Sequence, residues 1–196
     1  MPEEMSPEDA EALSKQQCIF CSIVSGQVPA KKIYEDQYFV GVLDINPATA
    51  GHILVISREH HMIMPQMHDD EVRELGSAVQ NLSRSVIKGL EAQGTTIFVA
   101  NGAVAGQRAP HFMLHVIPRT ENDGLGITFV QQKLKETEVE HLRVKLANAM
   151  NKLHGLPETE QMKKEMPKKE AVKKKITKQT EDNVGLDDIA KLLTGK

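Results

Sequence analysis

Residues 107–119, QRAPHFMLHVIPR, combine histidines with a regular alternation of apolar side chains. They place His111, Met113 and His115 two residues apart, with apolar residues between them. Side chains at alternate positions of a β-strand share one face, because the side-chain period of a strand is two. The pattern therefore predicts a strand that carries two histidines and a thioether on one face. These side chains could form a reaction centre, hold a metal ion, or be ordinary buried histidines of a core.

The segments before this strand predict an α+β domain with an antiparallel sheet. Apolar residues at helical spacing run from Val72 to Leu90 and end near Gly94, and a second amphipathic pattern covers residues 137–153. Short runs with strand character, bounded by turn residues, lie on both sides of the long helix. These runs are KKIYED (31–36), YFVGVLD (38–44), HILVIS (52–57) and TTIFVAN (95–101).

The chain of 196 residues is long enough for one compact domain with appendages. We expect a helical extension over residues 1–16 and the compact domain over residues 17–156. Residues 157–182 are rich in lysine and almost free of large apolar side chains, which predicts a disordered linker. Residues 183–196 form a short amphipathic segment, which is either a frayed end or a tethered docking motif.

Charge is distributed unevenly along the chain. Residues 161–180 hold eight lysines and two glutamates, whereas the whole chain has a net charge of −3, so the remainder is strongly acidic. An acidic body disfavours general nucleic-acid binding and leaves only a weak, salt-sensitive attraction through the lysine-rich tail. We find no signal peptide or membrane-spanning run, and we therefore expect a cytoplasmic protein.

The only two cysteines, Cys18 and Cys21, are separated by two residues. In an intracellular chain this spacing favours a metal clip or a redox pair over a structural disulfide. A structural zinc site needs four ligands, and His60 and His111 could complete a Cys2His2 set. The competing interpretation is a pair of ordinary buried cysteines.

The loop NGAVAGQ, residues 101–107, leads directly into the strand that carries the histidines. Its glycines allow a ligand to approach backbone N–H groups closely, which suits an anion such as phosphate. The spacing by itself is weak, and satisfied core histidines would explain the following strand equally well.

In combination and in order, these motifs resemble the histidine triad (HIT) family, in its Hint-like branch. The resemblance covers about residues 17–120 and rests on CIFCSIVSG, DINPATAGHILVIS with the histidine that follows, NGAVAGQ and HFMLHVIPR. It implies the HIT fold, with a five-stranded antiparallel sheet that is shared across a homodimer. Members of this branch bind purine nucleotides and cleave bonds to the α-phosphate.

The resemblance also implies residue roles. Asp44 would bind the ribose hydroxyls, with Ile45 beside the sugar or base. The phosphate would be surrounded by Asn101, Gly106, Gln107, Arg108 and His115. In zinc-bearing relatives, the positions that bind the metal correspond here to Cys18, Cys21, His60 and His111.

The departure from the family is at Met113, which stands where the family has its nucleophilic middle histidine. Methionine cannot attack phosphorus and relay a proton as imidazole does. We therefore expect a nucleotide-binding protein whose transfer activity is lost or much reduced. The alternatives are a hydrolase that uses His115 by a variant route, and a zinc-clipped dimeric scaffold with an interaction tail.

Overall fold

The computed structural model describes residues 13–126 and 128–158. Residues 13–16 are helical, whereas the rest of the expected N-terminal extension, the lysine-rich linker beyond residue 158 and the C-terminal segment lie outside the described residues. The described chain forms two compact units, one over residues 13–125 and one that begins at residue 126.

Five antiparallel strands form the sheet of the first unit, with spatial order β1-β2-β3-β5-β4. They are Lys32–Glu35 (β1), Phe39–Leu43 (β2), Ile53–Ser57 (β3), Gly94–Phe98 (β4) and Met113–Arg119 (β5). The predicted α+β class with a five-stranded antiparallel sheet is therefore confirmed. The two edges of the sheet are β1 and β4, and β5 lies between β3 and β4.

One face of the sheet packs against the long helix α2, Asp69–Gly89. Leu75, Leu82 and Val86 of this helix join Phe39, Val55, Leu114 and Val116 in the main core. The helix ends five residues earlier than the sequence pattern suggested, and Leu90 is half-exposed. Glu91 adopts a positive φ of 54°, a conformation that cannot continue a right-handed helix, and the chain then turns into β4.

The opposite face is covered in part by a short helix, α1, Ile19–Val24, for which the sequence analysis predicted no helix. Phe20, Ile23 and Val24 pack against the buried residues Val40, Val42, Leu54 and Ile56 of β2 and β3. Six residues are too few for a helix that is stable alone, so tertiary packing stabilises α1. This packing brings the segment with the two cysteines over the sheet.

The histidine-bearing strand starts at Met113, two residues later than the sequence analysis predicted. His111 precedes the strand in a bend, and the N–H of Phe112 donates to the carbonyl of His61 at 2.6 Å. This hydrogen bond joins Phe112 to the loop after β3 and is not one of the bonds between paired strands. The orientation of the neighbouring His111 therefore does not follow from the regular geometry of β5. Of the three residues expected on one face, Met113 and His115 lie on the half-buried face of β5, together with Ile117 and Arg119, and His111 precedes the strand.

The described residues of the second unit include a helix, α3, Glu136–Leu153. This agrees with the predicted amphipathic helix over residues 137–153. The apolar stripe on that helix is exposed, whereas Val144 and Asn148 are buried. The stripe consists of Val139, Leu142, Leu146, Met150 and Leu153.

Among the described residues, no helix combines the length and the apolar character that crossing a bilayer requires.

Candidate functional site

Four side chains from three separate parts of the chain converge beside α1. The sulfur atoms of Cys18 and Cys21 and one ring nitrogen each of His60 and His111 all lie within 4.8 Å of one another. Cys18 Sγ lies 3.3 Å from His111 Nδ1, and Cys21 Sγ lies 3.2 Å from His60 Nδ1. Both cysteines are free thiols. The structure thus brings together the complete set of expected metal ligands.

The protonation of His111 follows from its hydrogen bonds. His111 Nε2 donates to the carbonyl oxygen of Ser57 at 2.9 Å, and a carbonyl can only accept. The Nδ1 atom therefore carries the lone pair and faces the two sulfur atoms. The ring is fully buried, and burial lowers the pKa of His111 to about 4. A neutral imidazole held by a backbone carbonyl is the usual state of a metal-ligating histidine.

The cluster fits a zinc ion by donor type and by spacing. Bonds of about 2.3 Å to sulfur and about 2.0–2.1 Å to nitrogen give a tetrahedral S···N separation of about 3.6 Å. The observed separations lie between 3.2 and 3.6 Å. Burial and the neighbouring Cys18 raise the pKa of the Cys21 thiol to about 11, so a bound cation would have to displace its proton.

A second cluster consists of Asp44, His52 and His115, the last of which lies on β5. His52 Nε2 lies 3.0 Å from His115 Nδ1, and His52 Nδ1 lies 3.4 Å from Asp44 Oδ2. His52 and His115 come together because of the register between β3 and β5. Leu54 is paired with His115, and His52 lies two residues before Leu54 on the same face of the sheet. Burial is the main reason that the pKa of His115 is lowered to about 4.

Met113 is half-buried and lies between His111 and His115 in the sequence. Its backbone is paired with Ile56, and its side chain shares a strand face with His115. A thioether offers a weak acceptor and no proton at this position.

The expected phosphate loop is held together by its own polar side chains. Asn101 Oδ1 accepts from the N–H of Met64 at 3.0 Å, and Gln107 Oε1 accepts from the N–H of Gly102 at 2.7 Å. Gln107 Nε2 donates to the carbonyls of Met62 and Ala109. These amides position the loop, so any anion held here would meet mainly backbone groups. Gly106 supports the tight turn with a φ of +91°.

The remaining expected residues differ in exposure. Asp44 is largely buried and accepts from the N–H of Asn46 through Oδ1, whereas Ile45 is 91% exposed. An exposed isoleucine next to a buried carboxylate is available to a planar or apolar ligand group.

Sequence reasoning missed His52, Ser57 and the buried pair of His61 with Glu71. His61 Nε2 lies 2.9 and 3.1 Å from the two carboxylate oxygens of Glu71. The alternation of side chains along a strand could have indicated a role for His52, because it lies on the same face of the sheet as every second residue of β3. The long-range partners of Ser57 and His61 left no signal in local spacing.

Comparison with known proteins adds an independent observation. A family model described as HIT domain matches residues 25–122. The chain is 41% identical over 116 residues to an uncharacterised HIT-like protein of Methanocaldococcus jannaschii, covering 59% of this chain and 89% of that protein. It is 32% identical over 126 residues to an adenosine 5′-monophosphoramidase of Schizosaccharomyces pombe, covering 64% of this chain and 92% of the relative.

A solved structure is also similar. The Zn-bound histidine triad family protein of Mycobacterium smegmatis has a TM-score of 0.54 and 36% identity, and the match covers 70% of this chain and 99% of that one.

Proposed function

The chain belongs to the histidine triad (HIT) family, and from this premise we propose that it binds purine mononucleotides but has lost most or all transfer and hydrolysis at the α-phosphate. The observation that carries the proposal is Met113, which shares its strand face with His115 at the centre of the site. A family nucleophile needs a nitrogen lone pair that attacks phosphorus and a second nitrogen that exchanges a proton. A thioether supplies neither group.

The binding half of the proposal rests on the groups that remain. Asp44 would accept hydrogen bonds from the ribose hydroxyls, and the exposed Ile45 would contact the sugar or base. His115 and the backbone of the loop that includes Gly106 and Arg108 would donate to the phosphate. Asn101 and Gln107 hold this loop in position through the bonds described above. The phosphoramidase activity named for the S. pombe relative fits an AMP-like ligand.

We also assign a structural zinc ion to Cys18, Cys21, His60 and His111. These residues supply four protein ligands, which would leave no open position on the metal, and such closed sites stabilise a fold rather than perform chemistry. The ion would link α1 to the loop after β3, which carries His60, and to His111, which lies two residues before β5. Zinc in the M. smegmatis relative supports this choice of metal.

The oligomeric state proposed for the protein is a dimer that extends the sheet through β4. Among the described residues, β4 pairs only with β5, and its sequence GTTIF carries no charge. The other edge strand, β1, carries Lys32 and Glu35, which protect an edge from pairing.

The experiment that tests the function uses one sample for two measurements. We expect titration with AMP in a calorimeter to show binding, and an AMP-linked phosphoramidate to be turned over no faster than the background rate. Measurable turnover would establish instead a hydrolase with a variant route. Absence of AMP and GMP binding by a folded protein would leave the zinc-clipped scaffold as the function.

A further inference from the structure

The structure places His52, to which the sequence analysis gave no role, at the centre of a chain of hydrogen bonds. The chain runs from the backbone of Ala48 through His52 to His115. Each histidine has two ring nitrogens, and in the neutral ring one donates while the other accepts. The donor at one end therefore determines the proton position at the other end.

The bond at the start of the chain fixes the proton on His52. The N–H of Ala48 donates to His52 Nδ1 at 3.2 Å, and a backbone N–H cannot accept. Nδ1 must then carry the lone pair, and the proton of the neutral ring is on Nε2. The Oδ2 atom of Asp44 lies further from Nδ1 than the Ala48 nitrogen does, at 3.4 Å, and the other carboxylate oxygen, Oδ1, accepts from the N–H of Asn46.

The tautomer of His52 in turn determines the tautomer of His115. His52 Nε2–H donates to His115 Nδ1 at 3.0 Å, so Nδ1 of His115 accepts and the ring proton is on its Nε2. Both rings are neutral near pH 7, since burial lowers the pKa of His52 and lowers that of His115 to about 4. Among the charged groups in contact with the pair, Asp44 opposes this effect on both rings, but burial is the larger influence.

We propose that His52 is a positioning residue that fixes His115 as the Nε2–H tautomer. His115 then presents a hydrogen-bond donor to a phosphate oxygen and has no lone pair to direct at phosphorus. The role at the phosphate rests on the proposed nucleotide site, whereas the tautomer belongs to the protein without ligand. The inference also argues against His115 as a substitute nucleophile, since its attacking nitrogen would first have to lose its proton.

The test is a long-range ¹H–¹⁵N correlation spectrum of the full chain, labelled with ¹⁵N-histidine, at pH 7 without ligand. This spectrum distinguishes protonated from unprotonated ring nitrogens. We expect both His52 and His115 to carry the proton on Nε2. A His115 ring with the proton on Nδ1 and a bare Nε2 would overturn the proposal and reopen the route through His115.

Two substitutions separate the role of His52 in positioning from a role in folding. In H52Q the amide nitrogen can reach the place of Nε2 and donate to His115. In H52N the amide oxygen can accept from Ala48, but no donor reaches His115. We expect H52Q to keep the single tautomer of His115 and H52N to show a mixture. An unchanged His115 spectrum in a folded H52N variant would remove the positioning role.

Addition of AMP to the wild-type sample distinguishes the two proposals. We expect the Nε2–H signal of His115 to shift on binding while its proton stays in place. The predicted tautomer without any AMP-dependent shift would retain the inference and reject the nucleotide site. Transfer of the proton to Nδ1 on binding would reject the donor role of His115.

Discussion

At the scale of single residues, the proposed loss of transfer chemistry depends on Met113. The neighbouring groups expected to bind the phosphate are retained, so one substitution should restore the chemistry. We predict that Met113→His raises hydrolysis of an AMP-linked phosphoramidate by at least about a thousandfold, because a covalent nucleophile contributes several orders of magnitude. The rate is measured under saturating substrate.

Met113→Gln is the matched control, since it introduces a polar side chain of similar length without a nucleophilic nitrogen. We expect no gain from it. A folded Met113→His variant that binds AMP but hydrolyses nothing would mean that the pocket around the strand has diverged as well.

The cysteine–histidine cluster predicts about one zinc per chain. We expect Cys21→Ser to lose the metal and to lower the free energy of unfolding by more than about 2 kcal/mol, because metal binding is linked to folding. Metal analysis and urea unfolding measure the two effects. Ser25→Ala, which changes an exposed hydroxyl just after the same helix, is the control. Carefully purified wild-type protein without zinc would contradict the assignment.

The lowered pKa of His115 predicts a pH dependence of stability. Between its folded pKa of about 4 and the ordinary value of 6.5, the unfolded chain binds a proton that the folded chain does not. Stability from this group is therefore complete above pH 6.5 and decreases as the pH falls toward 4. We expect His115→Gln to lose less stability than wild type between pH 7 and pH 5 in urea unfolding. Parallel losses would contradict the shifted pKa.

At the scale of elements, Glu71 caps the N-terminus of α2. Its carboxylate accepts from the N–H of His68 at 2.8 Å and bonds to the buried ring of His61. The same residue therefore caps the helix and connects it to the loop after β3, whose His61 carbonyl accepts from Phe112. This connection places the helix against the segment that positions His111.

We predict that Glu71→Ala destabilises the protein by about 2–4 kcal/mol, because it removes a cap and leaves a buried histidine without its partner. Urea unfolding provides the measurement. Asp69→Ala, in the exposed first turn of the same helix, should cost only a few tenths of a kcal/mol. Equal losses for the two variants would show that Glu71 acts only through the charge of the first turn.

At the scale of the whole molecule, the two edges of the sheet predict the mode of assembly. Ile97 and Phe98 on β4 are each more than 40% exposed, and the strand lacks the charges that β1 carries. We predict that the wild-type protein has twice the chain mass in light scattering and that Ile97→Lys converts it to a monomer. Ile33→Lys on β1 is the control and should leave the mass unchanged. A monomeric wild type would reject the shared sheet.

Local sequence determined much of the fold and the list of candidate ligands. Strand periodicity, helical spacing and turn residues act over a few neighbours, so they identified the five strands, the long helix and the second helix. They did not identify α1, whose helix is stabilised by packing, and they extended β5 to include His111. The hypotheses about the CxxC pair and about Met113 also follow from residue type, and they stay predictions.

Only the tertiary structure decided which of these side chains meet. Cys21 and His111 are 90 positions apart, and His52 and His115 are 63 apart, yet each pair is in contact. The pairing of Leu54 with His115 places His52 beside the strand, and the packing of α1 on β2 and β3 places the cysteines beside His111. Sequence periodicity specifies the face of an element on which a residue lies, whereas register and packing between distant elements specify its partner. The proton positions on the histidines depend on those partners, and therefore they too were decided by the tertiary structure.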